Sequence, residues 1–122
     1  VLPAFYTRTS DIELNLHVEN VDDLAKIVFT KDKLGLKGGV LVVNPIPEAD
    51  SLDRAYMDGI IEKAIKQSVK DHIAGKDVTP YLLKTIVEAT KGTSLKANLA
   101  LVYNNAKVGA RLAKSYTKLA KK

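Results

Sequence analysis

Between residues 12 and 18 apolar and polar side chains alternate: Ile12, Leu14, Leu16 and Val18 on one side, Glu13, Asn15 and His17 on the other. A period of two predicts a half-buried strand. Residues 3–9 predict a shorter strand before it, leading into a turn at Thr9-Ser10. After Asn20 the period changes. Leu24, Ile27, Val28, Lys31 and Leu34 recur at helical spacing, with Asn20 as the expected N-cap and Gly35 placed to end the helix. Asp22 and Asp23 fall in its first turn, where the helix dipole favours anions. Beyond Gly38-Gly39, the run Val40-Leu41-Val42-Val43 shows no alternation, which predicts a central strand covered on both faces. Asn44-Pro45-Ile46-Pro47 stops it, since two prolines remove backbone donors from the ladder.

The remaining pattern is helical. One helix is predicted from near Ser51 to Ala74, ended by Gly75. The next starts at Thr79-Pro80, a cap followed by proline at the first helical position, and stops near Gly92. A long last helix runs from near Ser94 to about Leu119. Strand, helix and strand within about thirty residues form the layout of a crossover unit, so the expected fold class is α/β: a few-stranded sheet with packed helices. Three strands leave edges that need neighbours, and a preceding region of the protein is expected to supply them. The opening Val1, in place of Met, fits a sequence that starts inside a longer protein.

Composition narrows the class. With 122 residues, 46% hydrophobic and 27% charged, the chain suits one soluble globular domain. No apolar run approaches the roughly 18–20 residues that span a bilayer, and Val1-Leu2-Pro3-Ala4-Phe5-Tyr6 lacks the form of a signal peptide. There is no cysteine, hence neither disulfide nor thiolate chemistry. An intracellular, cytoplasmic protein is expected, with no membrane partner. The net charge of +5 is uneven: seven basic residues and no acidic one follow Ser94, whereas residues 1–93 carry a net −2.

Chemistry is sparse along most of the chain. His17 and His72 belong to no metal-ligand spacing and are read as solvated histidines. Glu48, Asp50 and Asp53 follow the proline turn, where capping of the next helix explains them more simply than metal ligation. On the last helix Lys96, Lys107, Arg111, Lys114, Lys118, Lys121 and Lys122 fall within an arc of about 100°. The stripe is either a solvated outer face or a surface for nucleic acid or an acidic partner. Asn98 and Asn105, seven residues apart, fall on the opposite, apolar side. A buried amide needs a partner, in the protein, in water, or in a ligand such as the imide edge of a pyrimidine.

Four segments carry a family resemblance. They are Pro3-Ala4-Phe5-Tyr6-Thr7-Arg8-Thr9-Ser10; Leu34-Gly35-Leu36-Lys37-Gly38-Gly39 with Val42-Val43-Asn44-Pro45-Ile46-Pro47; Gly75-Lys76-Asp77-Val78-Thr79-Pro80-Tyr81-Leu82-Leu83; and Ser94-Leu95-Lys96-Ala97-Asn98 continuing to Leu101-Val102-Tyr103-Asn104-Asn105-Ala106. In order and spacing they resemble the pseudouridine-5′-phosphate glycosidases, also called the indigoidine synthase A family. The resemblance spans nearly the whole chain.

It implies that residues 1–122 form the C-terminal portion of such a domain, completing a larger α/β/α sandwich without its N-terminal catalytic portion. It implies reversible cleavage of the carbon–carbon glycosidic bond of pseudouridine 5′-phosphate to uracil and ribose 5-phosphate. The family uses a lysine Schiff base, a glutamate acid/base and a manganese ion. Those groups precede the Pro-Ala-Phe segment, so this chain alone is expected to be inactive and none of its lysines is assigned as nucleophile. Asn98 matches the family asparagine that contacts uracil, and Asn44, Pro45 and Ile46 are placed at the pocket mouth by their strand-end position. A homotrimer is implied. The sequence departs from the family at His17, where arginine is common, at Asp32, where tryptophan is frequent, and at Lys91, which replaces the first glycine of a pair; the last two read as surface drift. The competing readings are a binding module that uses the lysine stripe for nucleic acid, not the expected partner, and a degenerate copy kept for assembly.

Overall fold

The structure is a computed structural model that describes residues 6–10 and 12–121. Four helices carry it: α1 (Val21–Lys33), α2 (Arg54–Lys70), α3 (Val78–Ala89) and α4 (Thr93–Ala120), with single 3-10 turns at Glu48–Asp50 and Gly75–Asp77. Asn20 caps α1 as expected, its side-chain oxygen accepting the Asp23 N–H at 2.9 Å. Asp53 does the same for α2, accepting from the Tyr56 N–H at 2.8 Å.

The α/β expectation is corrected: among the described residues there is no strand and no sheet. Residues 12–18 are irregular, and Ile12, Leu14 and Leu16 are exposed instead of forming a buried face. The run at 40–43 was expected at the centre of a sheet, yet Leu41 is 88% exposed and Val40 and Val42 are also exposed. Alternation and apolar runs describe how side chains would sit on a ladder. A ladder also needs a second strand within hydrogen-bonding distance, and the described residues provide none. The strand expected at 3–9 falls partly outside the described residues, and Tyr6, Thr7 and Arg8 form bends.

Helix ends moved as well. α2 stops at Lys70, four residues short of Ala74, in a closure where the His72 N–H donates to the Val69 carbonyl and the Ile73 N–H to that of Ser68. α3 begins at Val78, so Pro80 is its third residue, still within the first turn where a missing N–H costs nothing.

The core collects Tyr6, Ile46, Met57, Ala64, Ile86, Ala97 and Leu101, with Leu52, Ile60, Ile61, Leu82 and Leu83 against it. Ile46 and Met57 are completely buried, each worth roughly 1.5–3 kcal/mol by removal from water. A second packing region joins α1 to α4. There the Phe29 and Tyr116 rings meet edge to face at 5.9 Å, the Tyr116 hydroxyl donates to Asp32 at 2.7 Å, and the Ser115 hydroxyl donates to Asp22 at 2.6 Å. Asp32, read as drift, is therefore a helix-pairing residue. α4, 28 residues and about 42 Å long, serves both regions.

Candidate functional site

The site grows from the joint between α3 and α4. At the end of α3 the Lys91 N–H donates to the Glu88 carbonyl and the Gly92 N–H to that of Val87, a closure that places Lys91 at φ 53° and Gly92 at φ 85°. Gly92 has no side chain with which to cap α4. Thr90 supplies the missing group: its buried hydroxyl donates to the Ile86 carbonyl at 2.8 Å and accepts the Ser94 N–H at 3.1 Å. One side chain thus fastens the last turn of α3 to the first turn of α4.

A cavity of about 290 Å³ lies between these two helices, bounded also by Tyr6. Leu83, Val87, Leu95 and the Tyr6 ring make most of its wall apolar, while Lys84 and Glu88 come from the exposed side of α3. Asn98 reaches it from α4, half-buried, and Ser94 borders it one helical turn earlier. Ser94 is fully buried, and its hydroxyl oxygen has no hydrogen-bond partner among the described residues. Burial raises the phenol pKa of Tyr6 above its ordinary value, so Tyr6 is neutral across the physiological range.

The other residues singled out from sequence do not converge here. Asn44 donates from its amide to the side-chain oxygen of Asn105 at 3.1 Å, and the Asn104 amide donates to the Pro45 carbonyl at 3.3 Å. Ile46 is buried in the core, with its carbonyl accepting from Arg8 at 2.8 Å. None of Asn44, Pro45 and Ile46 lines the cavity. Asn105 is exposed, not inward, and its partner is protein, the structural option. His17 pairs with Glu19 at 2.9 Å on the surface. Of the acidic trio, Asp53 has the capping role expected of it.

Sequence reasoning missed Ser94, Tyr6, Lys84 and Glu88 as cavity residues. The spacing of Ser94, four positions before Asn98, was a usable signal, because residues four apart share a helix face. Nothing local distinguished the α3 residues.

Among the described residues no three histidine or carboxylate side chains converge on a point that would hold a metal ion. The described residues therefore offer no ligand set for a manganese ion.

A mostly apolar cavity with an inward amide and a sheltered hydroxyl has the make-up of a small-molecule site. Residues 1–115 match the family model described as indigoidine synthase A like protein. The chain is 52% identical over 117 residues to a pseudouridine-5′-phosphate glycosidase of Glaesserella parasuis and 51% identical over 119 residues to one of Caldanaerobacter subterraneus. These alignments cover 96% and 98% of the chain but only 39% of each relative. Among solved structures it resembles the crystal structure of the prealnumycin C-glycosynthase AlnA in complex with ribulose 5-phosphate, with a TM-score of 0.82 at 26% identity. That match covers 97% of this chain and 39% of the other. The chain belongs to the indigoidine synthase A-like family, and it spans about two-fifths of the length of the relatives it matches.

Every described member of the basic stripe on α4 is exposed; Lys122 lies outside the described residues. Beyond that exposure nothing supports the nucleic-acid reading, and the family assignment points elsewhere. No helix among the described residues is long and apolar enough to cross a membrane.

Proposed function

We propose that residues 1–122 are the C-terminal part of a pseudouridine-5′-phosphate glycosidase, and that they supply one wall of its uracil pocket. The intact enzyme reversibly cleaves the carbon–carbon bond between uracil and ribose 5-phosphate, and Asn98 reads the base. The observation that carries this reading is the position of Asn98, a half-buried amide on the wall of an otherwise largely apolar cavity. A planar, neutral base gains from apolar walls, and an amide offers the imide edge both a donor and an acceptor. The names of the relatives support the substrate. The proposal extends to a manganese ion held outside the described residues, a homotrimer and a cytoplasmic location.

The test uses the full-length protein that contains this chain, incubated with pseudouridine 5′-phosphate and manganese, with release of uracil followed over time. Asn98→Ala is expected to lower kcat/KM at least about tenfold, the effect of leaving buried base groups unpaired. Unchanged kinetics would remove Asn98 from the site, and no uracil release from the folded wild type would overturn the activity itself.

A further inference from the structure

Resting on that reading, we propose that Ser94 is a second base-contacting residue, whose hydroxyl donates to the uracil carbonyl that Asn98 leaves unpaired.

The imide edge of uracil presents an acceptor, a donor and an acceptor in a row. One amide matches two neighbouring groups of the three: its NH₂ serves a carbonyl and its oxygen serves the ring N–H. The second carbonyl needs another donor. Ser94 lies one turn before Asn98 on the same helix face, where Cβ atoms are about 5–6 Å apart, so both side chains address one edge of a planar ligand. Ser94 is fully buried, and its oxygen is the only buried side-chain polar atom without a hydrogen-bond partner among the described residues. A sheltered hydroxyl left in that state costs stability. The usual remedy inside a helix, donation to the carbonyl four residues back, is not made here. The Thr90 carbonyl accepts the Thr93 N–H, and the Thr90 hydroxyl accepts the Ser94 N–H, which fixes the backbone of Ser94 beside the cavity.

The same features select a base carbonyl over a phosphate. The first turn of α4 attracts partial negative charge, which suits either group. However, the walls from Leu83, Val87 and Leu95 cannot solvate a dianion, and the one cation lining the cavity, Lys84, is exposed and matched by Glu88 one turn further along α3. A neutral carbonyl meets neither obstacle.

The experiment measures uracil binding to the full-length protein by calorimetry, in wild type, Ser94→Ala and Ser94→Thr. It repeats each titration with 2-thiouracil and 4-thiouracil, whose sulfur is a weak acceptor. Wild type is expected to prefer uracil to both thiouracils, the preference over one resting on Ser94 and that over the other on Asn98. In Ser94→Ala, uracil binding weakens about tenfold, the preference over one thiouracil disappears while that over the other remains, and thermal stability holds or rises because the unpaired hydroxyl is gone. Ser94→Thr, which keeps the hydroxyl, restores the discrimination. Uracil binding in Ser94→Ala equal to wild type, with both preferences intact, would overturn the role of Ser94 and leave that of Asn98 standing. A folded wild type that neither binds uracil nor cleaves the nucleotide would overturn both readings together.

Discussion

Lys91 shows how one residue carries information that its side chain does not. By the family resemblance it stands in place of the first glycine of a pair, and a lysine on the surface reads as harmless. The backbone at this position has φ 53°, in the left-handed region where a Cβ crowds the chain by roughly 1–2 kcal/mol. Glycine avoids that cost but is more flexible when unfolded, which returns part of the gain. Lys91→Gly should therefore stabilise the protein by about 0.5–1 kcal/mol, read as a higher denaturant midpoint in the full-length protein. A lower midpoint would show that the lysine side chain makes a compensating contact. His72, at φ 56°, occupies the equivalent place after α2, which is why that helix ends before Gly75.

At the scale of elements, the decisive feature is the joint between α3 and α4. Three helices end in the same kind of backbone closure, at Gly35, His72 and Lys91, but only the last leads directly into another helix. Thr90 gives that joint a fixed geometry through one donated and one accepted hydrogen bond. Thr90→Val keeps the shape and removes both, leaving the Ser94 N–H buried without its partner. The expected cost is about 1–3 kcal/mol of stability, together with weaker uracil binding because Ser94 and Asn98 lose their common frame. Thr90→Ser should restore most of each. If valine leaves both thermal stability and binding unchanged, the joint is held by packing alone.

For the whole molecule, the association of α1 with α4 makes stability depend on alkaline pH. The Tyr116 hydroxyl donates to the Asp32 carboxylate, and that bond, with lesser help from burial and charge, raises the phenol pKa above its ordinary value. The Tyr81 phenol is raised likewise by its bond to Asp71. A folded-state pKa above the unfolded value means stability that is complete below the ordinary phenol pKa near 10 and is lost as pH rises through the folded value. Melting temperature should thus fall above about pH 10, and Tyr116→Phe should flatten part of that fall relative to wild type. A parallel decline in the variant would assign the alkaline loss to other groups.

Much was legible in the sequence for local reasons. Asn20 and Gly35 mark both ends of α1 because capping depends on neighbours three to five residues away. The long last helix and the inward side of Asn98 followed from its periodicity. The same periodicity also turned Asn105 inward, wrongly, because it gives a direction and not the partner on that side.

The sequence by itself determined the helical segments, the uneven charge and the family, since these rest on spacing within one stretch of chain. Tertiary structure decided that residues 12–18 and 40–43 form no ladder with each other, because strand pairing depends on a partner that a pattern cannot supply. It also decided that Leu83 and Val87 of α3 face Ser94 and Asn98 of α4 across one cavity. That pairing depends on the angle set at Thr90, Lys91 and Gly92, where two left-handed residues and two hydrogen bonds act together.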